Sequence, residues 1–467
     1  MRVPYTLRTR SLAVVCAVLA VVIAPTILFA HARLVRSAPA ANGRLETPPT
    51  ELKLWFSEQP ELRFTSIQLL DSAGGTMPLG AVAQAGNDRT GIVVPIAEPV
   101  VAGRYTVVWR TAAADGHGTN GRFAFTVAVV PTPVPTVLPR RPANASSGAT
   151  PAENHRALSP NAVIETGSAV MYSAPLRWAE LMSVLTLIGA VMFRLFILQP
   201  VERAPTVFAE SADRARRLAH AALALFVLAT LTRVVDQSNL IPGAASARIP
   251  AVMSVIESTR WGHGWLVGLV GAVLALIGFT IARSANVGWI VAGVGVAAVA
   301  TSESLTGHAG ASTRLMPLAV GVDVAHVLGA GGWLGGLTAV LLSGLPALRS
   351  LDDVERPRAG SRLVRSFHYA AVQCVGLVIA TAVIAAWLRL GTVDALWTTT
   401  YGRILLLKIA LVVVLLIFGW YHRRTAVLPE WDGDTKFRFL RSAVSELLVG
   451  ALVLAVTAVL IGTALPT

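Results

Sequence analysis

Two hydrophobic patterns divide the chain. Over residues 31–130 apolar positions alternate with polar ones, as in Leu52, Leu54 and Phe56, in Ile67 and Leu69, in Tyr105, Val107 and Trp109, and in Phe123, Phe125 and Val127. Side chains along a strand point to opposite faces in turn, so this period buries one face and wets the other. Gly, Pro and Asn separate the runs, which predicts a small antiparallel sandwich or barrel. From Leu176 onward the pattern changes to apolar runs of about 20 residues, the length of one helical crossing of a bilayer core. They fall at about 176–198, 217–235, 263–282, 286–302, 316–345, 367–388, 404–421 and 443–464, which predicts eight transmembrane helices. The fifth run is long, and Gly329, Gly331, Gly332, Gly335 and Gly336 predict a tilt or a break in it.

Two further segments have neither pattern. Residues 131–170 begin PTPVPTVLPRRPANASSGATPAENH, a Pro/Ala-rich stretch without periodicity that reads as an extended, flexible tether. Residues 1–30 place Arg2, Arg8 and Arg10 before an apolar run ending at Ala30, the form of a secretory signal peptide. Leu28 occupies a position where signal cleavage prefers a small residue, so an uncleaved anchor is the competing reading. The expected organisation is signal peptide 1–30, β-sandwich 31–130, linker 131–172 and membrane domain 173–467.

Composition and charge sharpen this picture. Hydrophobic residues are 54% of the 467 and charged residues 14%, against about 45–50% and about 25% in soluble domains. The formal charge of +13 is not on the sandwich, which holds nine basic and eight acidic side chains. A nucleic-acid binder concentrates basic residues on its soluble face, so that class is excluded. With the sandwich outside, Arg217 and the loops 199–216, 283–285, 346–366 and 422–442 face the cytoplasm and hold 15 Lys/Arg. The opposite loops hold six, so the positive-inside bias favours an exported sandwich on a multi-pass protein of the bacterial inner membrane. Cys16 and Cys374 both lie in apolar runs, which leaves the sandwich without a disulfide framework or a cysteine-based zinc site.

Cleavage after Ala30 would expose His31, whose α-amino group and imidazole together form a chelate. Asp115 and His117 in the run ADGHG are two apart, so on a strand both face one way. Two imidazoles, an amine and a carboxylate suit tetragonal Cu(II), a metal that prefers planar nitrogen and oxygen ligands. The bland alternative makes Asp-Gly-His a turn and His31 an ordinary terminus.

Here the residues resemble a known family. His31-Ala32-Arg33-Leu34, Ser37-Ala38-Pro39-Ala40 and Leu52-Lys53-Leu54-Trp55-Phe56-Ser57-Glu58 resemble the start of the CopC copper-binding domain. Gly103-Arg104-Tyr105-Thr106-Val107-Val108-Trp109-Arg110, then Asp115-Gly116-His117 and Gly121-Arg122-Phe123-Ala124-Phe125, resemble its end. The resemblance implies an immunoglobulin-like sandwich with Cu(II) held by His31, Asp115 and His117. Met77 is the one methionine of this stretch, so the Met-rich Cu(I) site of some family members is not expected.

Ionisable side chains inside membrane spans are costly and are default site candidates. Asp323 and His326 are three apart on one helix face in the outer half of the fifth span, His263 begins the third span, and His308 lies in the outer loop SESLTGHAG. Met316 opens the fifth span with a thioether suited to Cu(I). Glu180 and Lys408 also lie in outer halves. The alternative for Asp323 and His326 is a pair that only fixes helix packing. Asp323-Val324-Ala325-His326 with Gly332-Trp333-Leu334-Gly335-Gly336, Tyr401-Gly402-Arg403-Ile404-Leu405-Leu406-Leu407-Lys408 and Arg441-Ser442-Ala443-Val444-Ser445-Glu446 resemble the CopD membrane domain. That resemblance implies copper movement across the inner membrane, in the inward direction.

The leading expectation is a copper-binding transporter, not an enzyme, serving copper homeostasis or resistance. It would capture Cu(II) outside and pass copper, with Cu(I) as a form for the membrane domain, through the helices. Copper ions, the lipid bilayer and other extracytoplasmic copper carriers are the expected partners. No GxxxxGK[ST] loop occurs, so ATP is not one of them. Two other readings remain open. A histidine-brace copper oxidase or oxygenase shares the N-terminal chelate, although a coordinating Asp115 would fill the oxygen position. A copper sensor or binding module would use the helices only as an anchor, for which eight exceed the need.

Overall fold

The computed structural model describes residues 34–113, 118–128, 168–199, 204–241, 244, 246–307, 309, 316–426 and 433–463. They form two units, one built on the strands and one on the helices.

The strand unit has two sheets. One holds β1 (Leu34–Ala38), β3 (Glu51–Phe56), β7 (Gly91–Pro95) and β6 (Ala83–Gln84), in that order. The other orders β2 (Arg44–Leu45), β9 (Gly118–Val127), β8 (Gly103–Ala112), β4 (Ser66–Leu70) and β5 (Thr76–Met77). The period-2 positions set the register. Leu52 faces Val94 and Leu54 faces Ile92 in one sheet, while Ile67 faces Trp109 and Leu69 faces Val107 in the other. Leu52, Leu54, Ile92, Leu69 and Val107 are wholly buried, so the alternating set is the core. Phe56 and Trp109 tie the two sheets edge to face at 5.3 Å between ring centres. One pairing departs from the antiparallel expectation, because β2 runs parallel to β9. Asn42, at φ 59°, turns the chain from one sheet to the other, and its amide donates to the Ala124 carbonyl at 2.7 Å. Asn tolerates this left-handed backbone better than most residues.

The helical unit contains α1 (Ser168–Met192), α2 (Pro205–Ser238), α3 (Arg248–Ser258), α4 (Arg260–Ile281), α5 (Val287–Leu305), α6 (Met316–Ser350), α7 (Glu355–Leu390), α8 (Ala395–Thr398), α9 (Thr400–Ala426) and α10 (Gly433–Ile461). Among the described residues eight helical spans are long and apolar enough to cross a membrane, and they coincide with the eight apolar runs. A helix satisfies its own backbone polar groups, which is why such runs fold this way in lipid. Their outward faces carry large aliphatic side chains such as Leu228, Val270, Val383 and Leu448, each more than 60% exposed and suited to contact acyl chains.

α1 lies innermost, against α2, α5, α6 and α10. Its approach to α6 is at backbone contact. A Cβ on Gly189 would lie 2.0 Å from the Gly335 carbonyl carbon, and one on Gly335 would lie 1.9 Å from the Leu185 oxygen. Only glycine fits this crossing. α6 is not broken at its glycines. It runs on through two π-helical turns, Gly331–Gly335 and Val340–Gly344, which absorb the extra residues while Trp333 and Leu334 stay buried.

Candidate functional site

Short connections make successive spans antiparallel. The start of α1, the end of α2, the start of α4, the end of α5, the start of α6, the end of α7 and the start of α9 therefore share one end of the bundle. His263, Met316, Asp323 and His326 belong to that end.

His263 stands in the first turn of α4, which Thr259 caps by accepting from the Gly262 amide at 2.9 Å. Its ring is exposed, with Nε2 3.1 Å from the Glu257 carbonyl. Met316 opens α6, and its sulfur accepts from Arg260 Nη2 at 3.6 Å. Asp323 accepts from Arg389 of α7 at 2.6 Å, and the Tyr401 hydroxyl meets the same guanidinium. Lys408 of α9 lies close enough to Asp323 and Arg389 for charge interaction with both.

His326, one turn below Asp323, also turns towards α7, so the expected shared face is observed. Its Nδ1 is 3.0 Å from Thr381 Oγ1. That hydroxyl has a single proton and sits 2.7 Å from the Leu377 carbonyl. With the proton given to that carbonyl, Thr381 accepts from the ring, which favours the Nδ1–H tautomer. In that tautomer Nε2 keeps its lone pair, the arrangement by which proteins prepare histidine as a metal ligand.

His263, Met316, Asp323 and His326 thus share one end of the bundle but engage different partners. Among the described residues no group of three or more His, Cys, Asp and Glu side chains converges as a metal-holding set. His31, Asp115, His117 and His308 lie outside the described residues, as do the signal peptide and most of the tether. In sequence, Asp115 and His117 fall between β8, which ends at Ala112, and β9, which begins at Gly118.

Two buried polar groups escaped the sequence reading, which singled out Glu180 alone. Arg233 of α2 donates to Glu180 of α1 and lies 4.0 Å from Glu303 of α5, with its guanidinium 5.5 Å from the centre of the Trp261 ring. Deeper in the bundle, Trp333 Nε1 donates to Glu446 Oε1 at 2.7 Å, and Glu446 is 1% exposed. The only trace of these in the sequence is an ionisable residue set in an apolar run. Their partnerships join segments far apart in the chain.

Comparison with known proteins agrees with this two-part construction. The CopC domain family matches residues 34–128, the N-terminal domain family of copper resistance protein D-like proteins matches 170–318, and the copper resistance protein D family matches 361–460. The chain is a CopC–CopD fusion protein. The fusion is 24% identical over 407 residues to the copper transport protein CutJ of Bacillus subtilis (strain 168), covering 85% of this chain and 68% of that protein. Its first part is 30% identical to protein YobA of Escherichia coli (strain K12) over 118 residues, 25% of this chain and 95% of that one. It is 33% identical to copper resistance protein C of Escherichia coli over 104 residues, 21% of this chain and 82% of that protein. Among solved structures, CopC from Methylosinus trichosporium OB3b is similar at 27% identity and a TM-score of 0.20, covering 21% of this chain and 94% of that one. The relatives' names concern copper transport and resistance rather than catalysis.

Proposed function

We propose that the CopC–CopD fusion captures Cu(II) outside the cytoplasmic membrane and imports copper through its helical domain. The supporting observation is the joining, in one chain, of a CopC domain to eight apolar spans, with His263, Met316, Asp323 and His326 at one end of the bundle. Cleavage after Ala30 frees the amine of His31, and His31, Asp115 and His117 hold Cu(II) in the sandwich that follows. The tether of 131–172 keeps the loaded domain near the bilayer, at an effective concentration of roughly millimolar for a short flexible linker. Copper then meets His263, His308 and Met316 at the outer end of the bundle and passes to His326, whose Nε2 lone pair is kept ready by Thr381. Asp323, held by Arg389, offers a fixed negative charge one turn above. The fusion performs no catalysis in this reading.

The test is copper-64 accumulation by cells expressing wild type, His31→Ala or His326→Ala. Wild type should accumulate copper above cells without the protein, and each substitution should lower it. Equal accumulation in all strains would rule out import. N-terminal sequencing of the mature chain tests the chelate, because a first residue other than His31 removes the amine ligand.

A further inference from the structure

One buried cluster is left without a role by that pathway. Glu180, Arg233 and Glu303 come from three different spans and meet at the outer end of the bundle, their side chains only 1%, 11% and 12% exposed. Arg233 is committed to Glu180, to which it donates directly. Glu303 stands second in line, 4.0 Å from the guanidinium, beyond hydrogen-bonding distance. Its carboxyl and that of Glu180 are thus both buried and both placed around one guanidinium. Two buried carboxylates that share one cation repel each other, which favours a proton on one of them.

Among the described residues, Arg177 of α1 and Asp236, on the exposed side of α2, also lie within electrostatic range of the cluster. α4 contributes the Trp261 ring. α6, which also packs on α5, carries Asp323, already engaged by Arg389. Arg233 is the cation seen to donate to the pair among the described residues.

We propose that Glu303 and Glu180 form a proton-binding carboxyl pair, and that the proton exchanged there is the ion that accompanies copper through the CopD part. The step is Glu303–COOH giving Glu303–COO⁻ and a proton, with no electron transfer. Losing the proton adds a repulsion between the two carboxylates and makes Glu303 a competitor of Glu180 for Arg233. One proton thus changes how α1, α2 and α5 are joined at the end where copper arrives. The coupling half of the proposal rests on the transport reading; the proton site does not.

Two measurements on the full-length protein separate them. Difference infrared spectroscopy on protein in lipid, across a pH titration, should show the C=O stretch of a buried protonated carboxyl. The band should vanish in Glu303→Gln, move in Glu303→Asp and persist in Glu210→Gln, which removes an exposed carboxylate. A wild-type spectrum without the band, or a band unchanged in Glu303→Gln, overturns the proton site. In proteoliposomes loaded with copper-64, a one-unit pH gradient should change the steady-state copper ratio by up to about tenfold per coupled proton. That response should disappear in Glu303→Gln. Copper movement in wild type that ignores the gradient overturns the coupling. If wild type moves no copper at all, import and coupling both fall, and the infrared result still decides the proton site.

Discussion

The sandwich and the bundle treat charge in opposite ways. Among the described residues the sandwich buries no charged side chain, and its buried polar groups are the hydroxyls of Thr65, Thr111 and Thr119. Thr65 and Thr111 satisfy each other at 2.6 Å. Its ion pair Lys53–Glu51 lies on the surface, 38% and 45% exposed. The bundle buries Arg177, Glu180, Arg194 and Glu446 while its aliphatic side chains face outward. The surroundings explain the difference. A domain in water keeps its charges solvated at little cost, whereas a span in lipid has its most polar environment inside the bundle. A buried ion pair therefore marks function more strongly in the bundle than a surface pair does in the sandwich.

This contrast can be broken in several places, and the largest effect belongs to the water-facing copper site. Lowering the pH from 7 to 5 protonates the amine and both imidazoles of the proposed Cu(II) site. With ordinary values near 7.7 and 6.5 for these groups, affinity should fall roughly 5 × 10⁴-fold. Competition titration with a chromophoric chelator measures this, and a pH-independent affinity would remove the amine and imidazole ligands together.

Replacing Arg233 by Ala should cost about 3–5 kcal/mol, because Glu180 is left buried with its charge uncompensated. Thermal unfolding in detergent is the measurement, and an Arg233→Ala, Glu180→Gln double variant should recover most of the loss. Trp333→Phe keeps an aromatic ring, smaller than the indole, and removes the donor to Glu446, for an expected cost of at least about 1–3 kcal/mol. The same unfolding assay reads it. The smallest effect is expected at the sandwich surface. Lys53→Ala should change stability by about 0–1 kcal/mol. A loss there as large as that at Arg233 would end the contrast between the two parts.

Particular residues show how far the sequence could be read. The alternation of Leu52, Leu54 and Phe56 with Lys53 and Trp55 specified a strand and its buried face, because a one-residue slip would turn that face to water. The eight runs specified eight spans, because lipid leaves an apolar segment of 20 residues little other choice. Asp323 and His326 were legible as one face of one helix from their spacing. Their partners were not, since Arg389 and Thr381 are 66 and 55 residues away. Arg233 and Glu303 were hidden for another reason. Each lies near the end of a helix, where a charge in the sequence is equally compatible with a wet loop.

The sequence by itself determined which segments meet water and which meet lipid, because burial of apolar surface and the helical satisfaction of backbone groups depend only on local pattern. It also carried the order of CopC and CopD parts and the candidate ligands along the chain. Only the tertiary structure decided which polar groups are joined: Glu180 with Arg233, Asp323 with Arg389, and Trp333 with Glu446. Such pairs form where helices distant in the chain cross within hydrogen-bonding reach, and that distance is set by how side chains pack, as at Gly189 and Gly335, rather than by the periodicity of any one segment.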